Sequence, residues 1–469
     1  MAEGADILLL AREHFASRSA VASLINEVKK NGLPQSCSRA TQYRKRKRFF
    51  IDTQTPYGSL ASPYHVAGQE ISVQSPAAML HYCAEHCEPF GHLLQRARSI
   101  HGDSEWSLVL YIDGVSPEDA LSKNDKRKFT AAYWTILEYG MEALATEEVW
   151  FVLLVARNTV LADIPGGISR VCSEVFDSFF FNPGAGVDFE QGVMLPLNGS
   201  AFSLRCALNI CIADEVALKE LFAAKGHAGI RCCYLCWNIV QARYWNEARD
   251  AASGVRSTCR RFEAFNKHSD DSIRAVLQAL EDAAEAGHDV SQMQTMLGWN
   301  HVYKSFAHHA KVRVASITMF DWMHVYLVGG LMGQELGWTL LKLHVIGVRV
   351  ATVGAFVRKW CWPKVHKARY EVLFQKSRES YASGFPCTAS ELLSLVPVLG
   401  IFFASLAPGT TKPFVDSLLA CIDAVELLQV DEVLFRFSNI AERGEGGRGE
   451  PGTFATVPAE EQGPGSSKG

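Results

Sequence analysis

The sequence predicts an α/β fold: a mixed-sheet core, interrupted by a helical insertion and flanked by helical N-terminal and C-terminal regions. Three observations predict it. Between Ser104 and Asp214, runs rich in β-branched and aromatic residues follow one another with a single helix-compatible segment among them. Two of those runs end in a carboxylate, at Asp113 and Asp214. Outside them, in residues 1–100 and 237–441, apolar residues recur mainly at helical spacing.

The elements follow in order. In the N-terminal region, residues 1–100, Val21, Leu24, Ile25 and Val28 line one face of a segment at 19–30, which Asn31-Gly32-Leu33-Pro34 stops. Ser38 can cap a second helix ending in Arg44-Lys45-Arg46-Lys47-Arg48. Helix, short turn and basic helix is the outline of a helix-turn-helix, and equally of a helical hairpin with a solvated basic end. The basic run also fits a nuclear import signal, so the nucleus is the expected compartment.

The first part of the core spans 101–236. Its expected strands are Ser107-Leu108-Val109-Leu110-Tyr111-Ile112-Asp113, then 128–136, then 149–155. A helix follows Pro165-Gly166-Gly167, from Ile168 to about Phe180. A last strand at 202–212 alternates Phe202, Leu204, Cys206, Leu208, Ile210 and Ile212 with smaller or polar residues and closes on Ala213-Asp214. Sequential strands can pair antiparallel, whereas the crossover helix returns the fourth parallel to one of them. If that one is the first, Asp113 and Asp214 lie side by side, which is the ribonuclease H arrangement. Val216, Leu218, Leu221 and Phe222 then mark a helix ending at Gly226. Residues 237–315 form the helical insertion, with 273–280 its clearest helix. Residues 316–441 complete the core with helices, the first starting at Thr318. Residues 442–469, rich in Gly, Pro, Glu and Ser, are expected to be a disordered tail.

Composition bounds the function. At 469 residues the chain exceeds one ordinary domain and hardly fills three. With 48% hydrophobic and 20% charged residues it is globular rather than disordered. A net charge of −4 excludes bulk attraction to polyanions, so nucleic-acid contact must come from local basic patches. Thirteen cysteines, an odd and scattered number, suit a reducing compartment. The N-terminus lacks the basic start of a secretory signal, and the most apolar stretches are interrupted by Asp321 and His324 or are too short to span a bilayer. No membrane partner is expected.

Aspartates at the ends of neighbouring strands can share Mg²⁺ or Mn²⁺, hard cations that prefer oxygen donors. Two such ions, about 3.5–4 Å apart, activate a water or 3′-hydroxyl and stabilise the leaving oxygen of an in-line displacement. Each aspartate also has an ordinary reading: Asp113-Gly114 as a turn and Asp214 as a helix cap. Cys233 and Cys236 have zinc-knuckle spacing, half of a structural Zn²⁺ site, which His227, His268, His301, His308 or His309 could complete; two buried free thiols are the alternative. Asp321 and His324, three residues apart on one helical face, interrupt an apolar segment. The imidazole can satisfy the carboxylate, or both can serve a metal. Glu391, in Thr388-Ala389-Ser390-Glu391, is a candidate third metal carboxylate and otherwise a first-turn helix glutamate.

Taken together, these blocks resemble CACTA-type (En/Spm-like) transposases. Leu110-Tyr111-Ile112-Asp113, followed by 126–134, is similar to that family's first-aspartate block. Ile212-Ala213-Asp214 with Gly226, Gly229 and Cys233-x-x-Cys236 resembles its second-aspartate block and zinc cysteines. Phe320-Asp321-Trp322-Met323-His324 with Gly329 resembles its Asp-x-Met-His segment, and Thr388 to Glu391 ahead of Pro397 a late glutamate-bearing helix. The blocks lie in order over about 105–400. The resemblance implies a ribonuclease H-like core that cuts and joins DNA at transposon ends with a divalent metal. Asp113, Asp214 and Glu391 would be catalytic, and Cys233 and Cys236 would bind structural zinc with a histidine such as His268 or His308. The alternative is an inactive, transposase-derived DNA-binding or scaffolding protein that keeps the zinc. Homo-oligomer formation is open on either reading.

Overall fold

The computed structural model describes residues 39–115, 128–197, 199–245, 254–259, 261–327, 329–362, 369–370, 372–375, 377–406 and 413–429, with 39–43, 227, 262 and 378 described by backbone alone. The helix expected at 19–30 and the tail expected at 442–469 lie outside the described residues. The chain divides into two compact units, residues 1–139 with 148–318 and residues 140–147 with 319–469.

The first unit opens on helix α1 (Arg39–Asp52), which contains the basic run and continues one turn past Arg48. Residues 1–100 were expected to be mainly helical, and the described part, 39–100, adds strands to its helices. Strands β1 (Ala61–Val66) and β2 (Gln69–Gln74) form an antiparallel hairpin, pairing Ala61 with Gln74 and Val66 with Gln69. Along β2, Ile71 and Val73 are buried while Glu70 and Ser72 are exposed. That period of two commits the segment to a half-buried sheet edge rather than a helix. Helices α2 (Pro76–His86) and α3 (Glu88–His101) follow, α2 capped by the Ser75 side chain.

The central strands form where expected: β3 (Trp106–Val115), β4 (Phe129–Ile136) and β5 (Phe151–Arg157), each pairing antiparallel with the next. Leu108, Val109 and Leu110 of β3 are all buried, so both faces of the sheet are covered there. Beyond Leu110 the pattern alternates, with Tyr111 and Asp113 half-buried and Ile112 buried. One face therefore opens toward the carboxyl end of the strand. Helix α4 (Gly167–Phe179) lays Ile168, Val171, Cys172, Val175 and Phe176 into the core at the spacing of one helical face.

The strand expected at 202–212 is two strands. β7 (Ser200–Leu204) pairs antiparallel with β6 (Val193–Leu197), and after Arg205 a separate strand, β8 (Cys206–Ala213), joins the main sheet. Unbroken apolar alternation across Arg205 hid this junction, where the Arg205 carbonyl accepts the Trp106 N–H at 2.8 Å. β8 runs parallel to β3. After helix α5 (Glu215–Leu221), the segment 237–315 carries a two-residue strand pair (Ile239–Val240 with Val255–Arg256), helix α6 (Asp270–Glu285) and a shorter helix at Ser291–Leu297. Thr318, expected to start a helix, instead opens the short strand β9 (Thr318–Phe320). The mixed seven-stranded sheet has the order β9-β8-β3-β4-β5-β2-β1.

The second unit is helical: α7 (Trp322–Tyr326), α8 (Leu331–Lys342), α9 (Val350–Val357), α10 (Ala389–Ala404) and α11 (Pro413–Leu428). Its core includes Leu336, Leu340, Leu395, Leu399, Val415 and Leu418, all fully buried. The Thr339 hydroxyl on α8 donates to the Phe414 carbonyl at the start of α11 (3.1 Å). Among the described residues no single helix is long and apolar enough to cross a membrane.

Candidate metal centre on the open face of the sheet

The relation between Asp113 and Asp214 is set by one residue. β8 and β3 begin in register as Cys206 with Trp106 and Leu208 with Leu108, then shift so that Ile210 faces Val109 and Ala213 faces Ile112. Asn209 is the extra residue, a β-bulge in an otherwise regular parallel pair. Its side-chain amide donates to the Ser107 hydroxyl (3.1 Å), a rung between the strands at the irregularity. One step past the last pair stand Asp214 and Asp113.

The bulge also changes which side chains are buried. Before it Cys206 and Leu208 are buried; after it Cys211 and Ala213 are buried, and Ile210 and Ile212 are half-buried. The alternation expected at 202–212, with Cys206, Leu208, Ile210 and Ile212 on one side, therefore holds only as far as Asn209. In the new phase Asp214 falls on the side of Ile210 and Ile212, beside the Tyr111 and Asp113 side of β3. That is the face opened by the alternation after Leu110. Neighbouring strands lie about 4.8 Å apart, so two acids at adjacent register positions are within reach of common ions.

Asp113 stays within the ladder, opposite Ala131, and Gly114 pairs with Thr130; the dipeptide is strand, not turn. Asp214 does cap α5, its Oδ1 accepting the Ala217 N–H at 2.6 Å. This hydrogen bond fixes the carboxylate at the strand-to-helix junction. The Glu220 carboxyl is held above the usual range by burial and then by the negative charge of Asp214. By donor chemistry, paired carboxylates on a half-buried face fit a hard divalent cation. Among the described residues, no group of three or more His, Cys, Asp and Glu side chains stands ready to hold an ion.

Cys233 and Cys236 are half-buried and in contact. The Cys236 thiol is pushed up to about 11, first by burial and then by the charge of Cys233 and a hydrogen bond to it. A backbone bridge joins Cys236 to Lys267, and the His268 N–H donates to the Leu235 carbonyl (2.9 Å), so His268 adjoins the cysteine loop. Its Nδ1 contacts the Ser272 hydroxyl at 2.7 Å. Burial, then the nearby Arg231 guanidinium, pushes the imidazole down to about 4 and keeps it in the neutral form that ligates metals. His308 instead lines a small cavity with Glu281 and His301, whose own side chains pair at 2.9 Å. His309 pairs with Asp177 at 2.9 Å. The side chain of His227 lies outside the described residues.

In the second unit, Asp321 caps α7 rather than lying within it. Its Oδ1 accepts the Met323 N–H (2.8 Å) and its Oδ2 contacts His324 Nδ1 (2.9 Å). Carboxylate and imidazole satisfy each other. Glu391 closes a capping box at the start of α10, accepting the Thr388 N–H (2.8 Å), while the Thr388 hydroxyl accepts the Glu391 N–H (3.3 Å). The Arg369 guanidinium lies 3.4 Å from its other oxygen. Both carboxylates hold helix starts.

Asn209 is the residue that reading of the sequence missed. Its signal was Asp214 itself: with unbroken alternation that acid shares the buried side with Cys206 and Leu208, where an unpaired charge is costly. Compared with protein-family models and with curated proteins, the chain matches none.

Proposed function

We propose that the chain is a transposase-like protein of CACTA type, with a ribonuclease H-like core that cuts and joins DNA phosphodiester bonds. The strand order β8-β3-β4-β5, with β8 parallel to β3 and the others antiparallel, supports that core. The observation that carries the reading is the register set at Asn209, which brings Asp113 and Asp214 to adjacent positions on one accessible face. Bound Mg²⁺ or Mn²⁺ would supply Lewis acidity toward the scissile phosphate and an activated water or 3′-hydroxyl. The chain supplies carboxylate oxygens from two strands and holds one of them oriented through the Ala217 N–H. Cys233, Cys236 and His268 are proposed to hold a structural Zn²⁺, and the nucleus is the proposed compartment.

The test is nicking of supercoiled plasmid with Mn²⁺. Asp113→Asn, which keeps shape and removes charge, is expected to lower nicking by about a hundredfold or more. Equal nicking by variant and wild type would remove the assignment. A second reading, an inactive DNA-binding or scaffolding protein, is favoured by one observation: Glu391, the expected third acid, is engaged by Thr388 and Arg369. Salt-sensitive DNA binding by a wild type that never nicks would select it.

A further inference from the structure

Helix α1 carries five consecutive cations, Arg44-Lys45-Arg46-Lys47-Arg48, all exposed. Nothing in the helix accounts for them. No basic residue lies in its last turn, where the helix dipole would favour one, and no acid lies in its first. Among the described residues none of the five makes an ion pair, and like charges three and four apart repel. The whole chain has net charge −4, so this density of positive charge is local.

Consecutive helical residues are about 100° apart around the axis, so five of them point to every side over about 6 Å of length. The helix has a fixed seat at its other end. The Phe49 ring meets Tyr82 of α2 edge-on at 5.5 Å, and the Gln54 amide donates to the Ile51 carbonyl (3.1 Å).

We infer that α1 is a metal-independent binding element for double-helical DNA, lodged in the major groove with phosphates on both flanks. Cations on every side need a partner that surrounds the helix. A flat anionic membrane meets one side only and prefers a helix with an apolar face. The major groove of duplex RNA is too narrow and deep to admit it. The major groove of B-DNA, about 12 Å wide, admits a helix about 10–12 Å across. This goes beyond the phosphodiester chemistry proposed above and stands without it.

The test uses the full chain with Mg²⁺ and Mn²⁺ left out, so that metal-dependent cleavage is silent while a structural Zn²⁺ stays bound, with a fluorescent 20-base-pair DNA duplex and increasing KCl. With three to five phosphates neutralised, log K should fall against log salt with a slope between about −2.7 and −4.5. The triple variant Arg44→Gln, Arg46→Gln, Arg48→Gln should flatten that slope by about 2.7 and weaken binding at least about tenfold at 0.1 M salt. The matching Arg→Lys triple variant should restore both. An unchanged slope in the Gln variant overturns the inference. So does tighter binding to duplex RNA of equal length, or to phosphatidylserine vesicles, than to the DNA. A Gln variant that has lost its helical circular dichroism is replaced by the Lys variant, whose loss of binding would equally overturn it.

Discussion

At Asp214 one side chain has an observed service, as a helix cap, and a proposed one, as a cation ligand, and substitution separates them. As a cap it needs an oxygen for the Ala217 N–H; as a cation ligand it needs a charge. Asn keeps the oxygen and Ala keeps neither. Asp214→Asn should unfold in urea close to the wild-type midpoint while plasmid nicking is lost. Asp214→Ala should lose nicking and about 1 kcal/mol of stability besides. Equal destabilisation by both would show that the cap rests on charge rather than on the hydrogen bond. The two aspartates were legible in the sequence because each terminates an apolar run, and the cap at Asp214 was legible from the helix behind it. Asn209 was not. A bulge is a property of two strands together, and only the partner strand reveals the unpaired residue.

At the level of elements, β3, β4, β5 and α4 emerged within a few residues of their expected bounds, because buried elements need long, pure apolar patterns. The β1–β2 hairpin escaped because it is an edge with one open side. There Tyr64, His65 and Glu70 dilute the alternation, and helices on both sides of it coloured the reading of the whole region. Helix α8 holds a second feature hidden from sequence. Gly337 sits against the backbone of another segment: a Cβ would lie 2.7 Å from the Tyr381 carbonyl oxygen and 2.8 Å from Gly384 Cα. Helix propensity alone says that Gly337→Ala should gain about 1 kcal/mol. Backbone cannot step aside as a side-chain tip can, so the clash should win. The expected outcome is a loss of about 1–3 kcal/mol, read by urea denaturation. A raised midpoint would show that the two backbones can part freely.

For the whole molecule, bulk composition was a poor guide to charge, because a net −4 conceals five consecutive cations on α1. Acid behaviour, too, is set by local surroundings. His268 is pushed down to about 4 by burial and then by Arg231, and His309 is pushed down by burial, partly offset by Asp177. Each binds protons less readily in the folded chain than at the ordinary value of 6.5. The contribution of His268 is therefore complete above about pH 6.5 and is lost as pH falls toward 4, and that of His309 is likewise lost on acidification. The urea midpoint in EDTA should drop between pH 7 and pH 4.5, and drop less steeply in His268→Gln. A variant as steep as wild type would remove His268 from the account.

The bulge in β8 has one more consequence. Shorten the strand by Asn209 and every rung can still form, with Ile210 facing Val109 and Ala213 facing Ile112, so Asp214 keeps the wet side of the sheet. Keep Asn209 but pair it regularly with Val109, and each later residue slips one place and turns over, carrying Asp214 into the greasy layer. The strand can therefore lose its spare residue without harm, but it cannot let that residue fall into step.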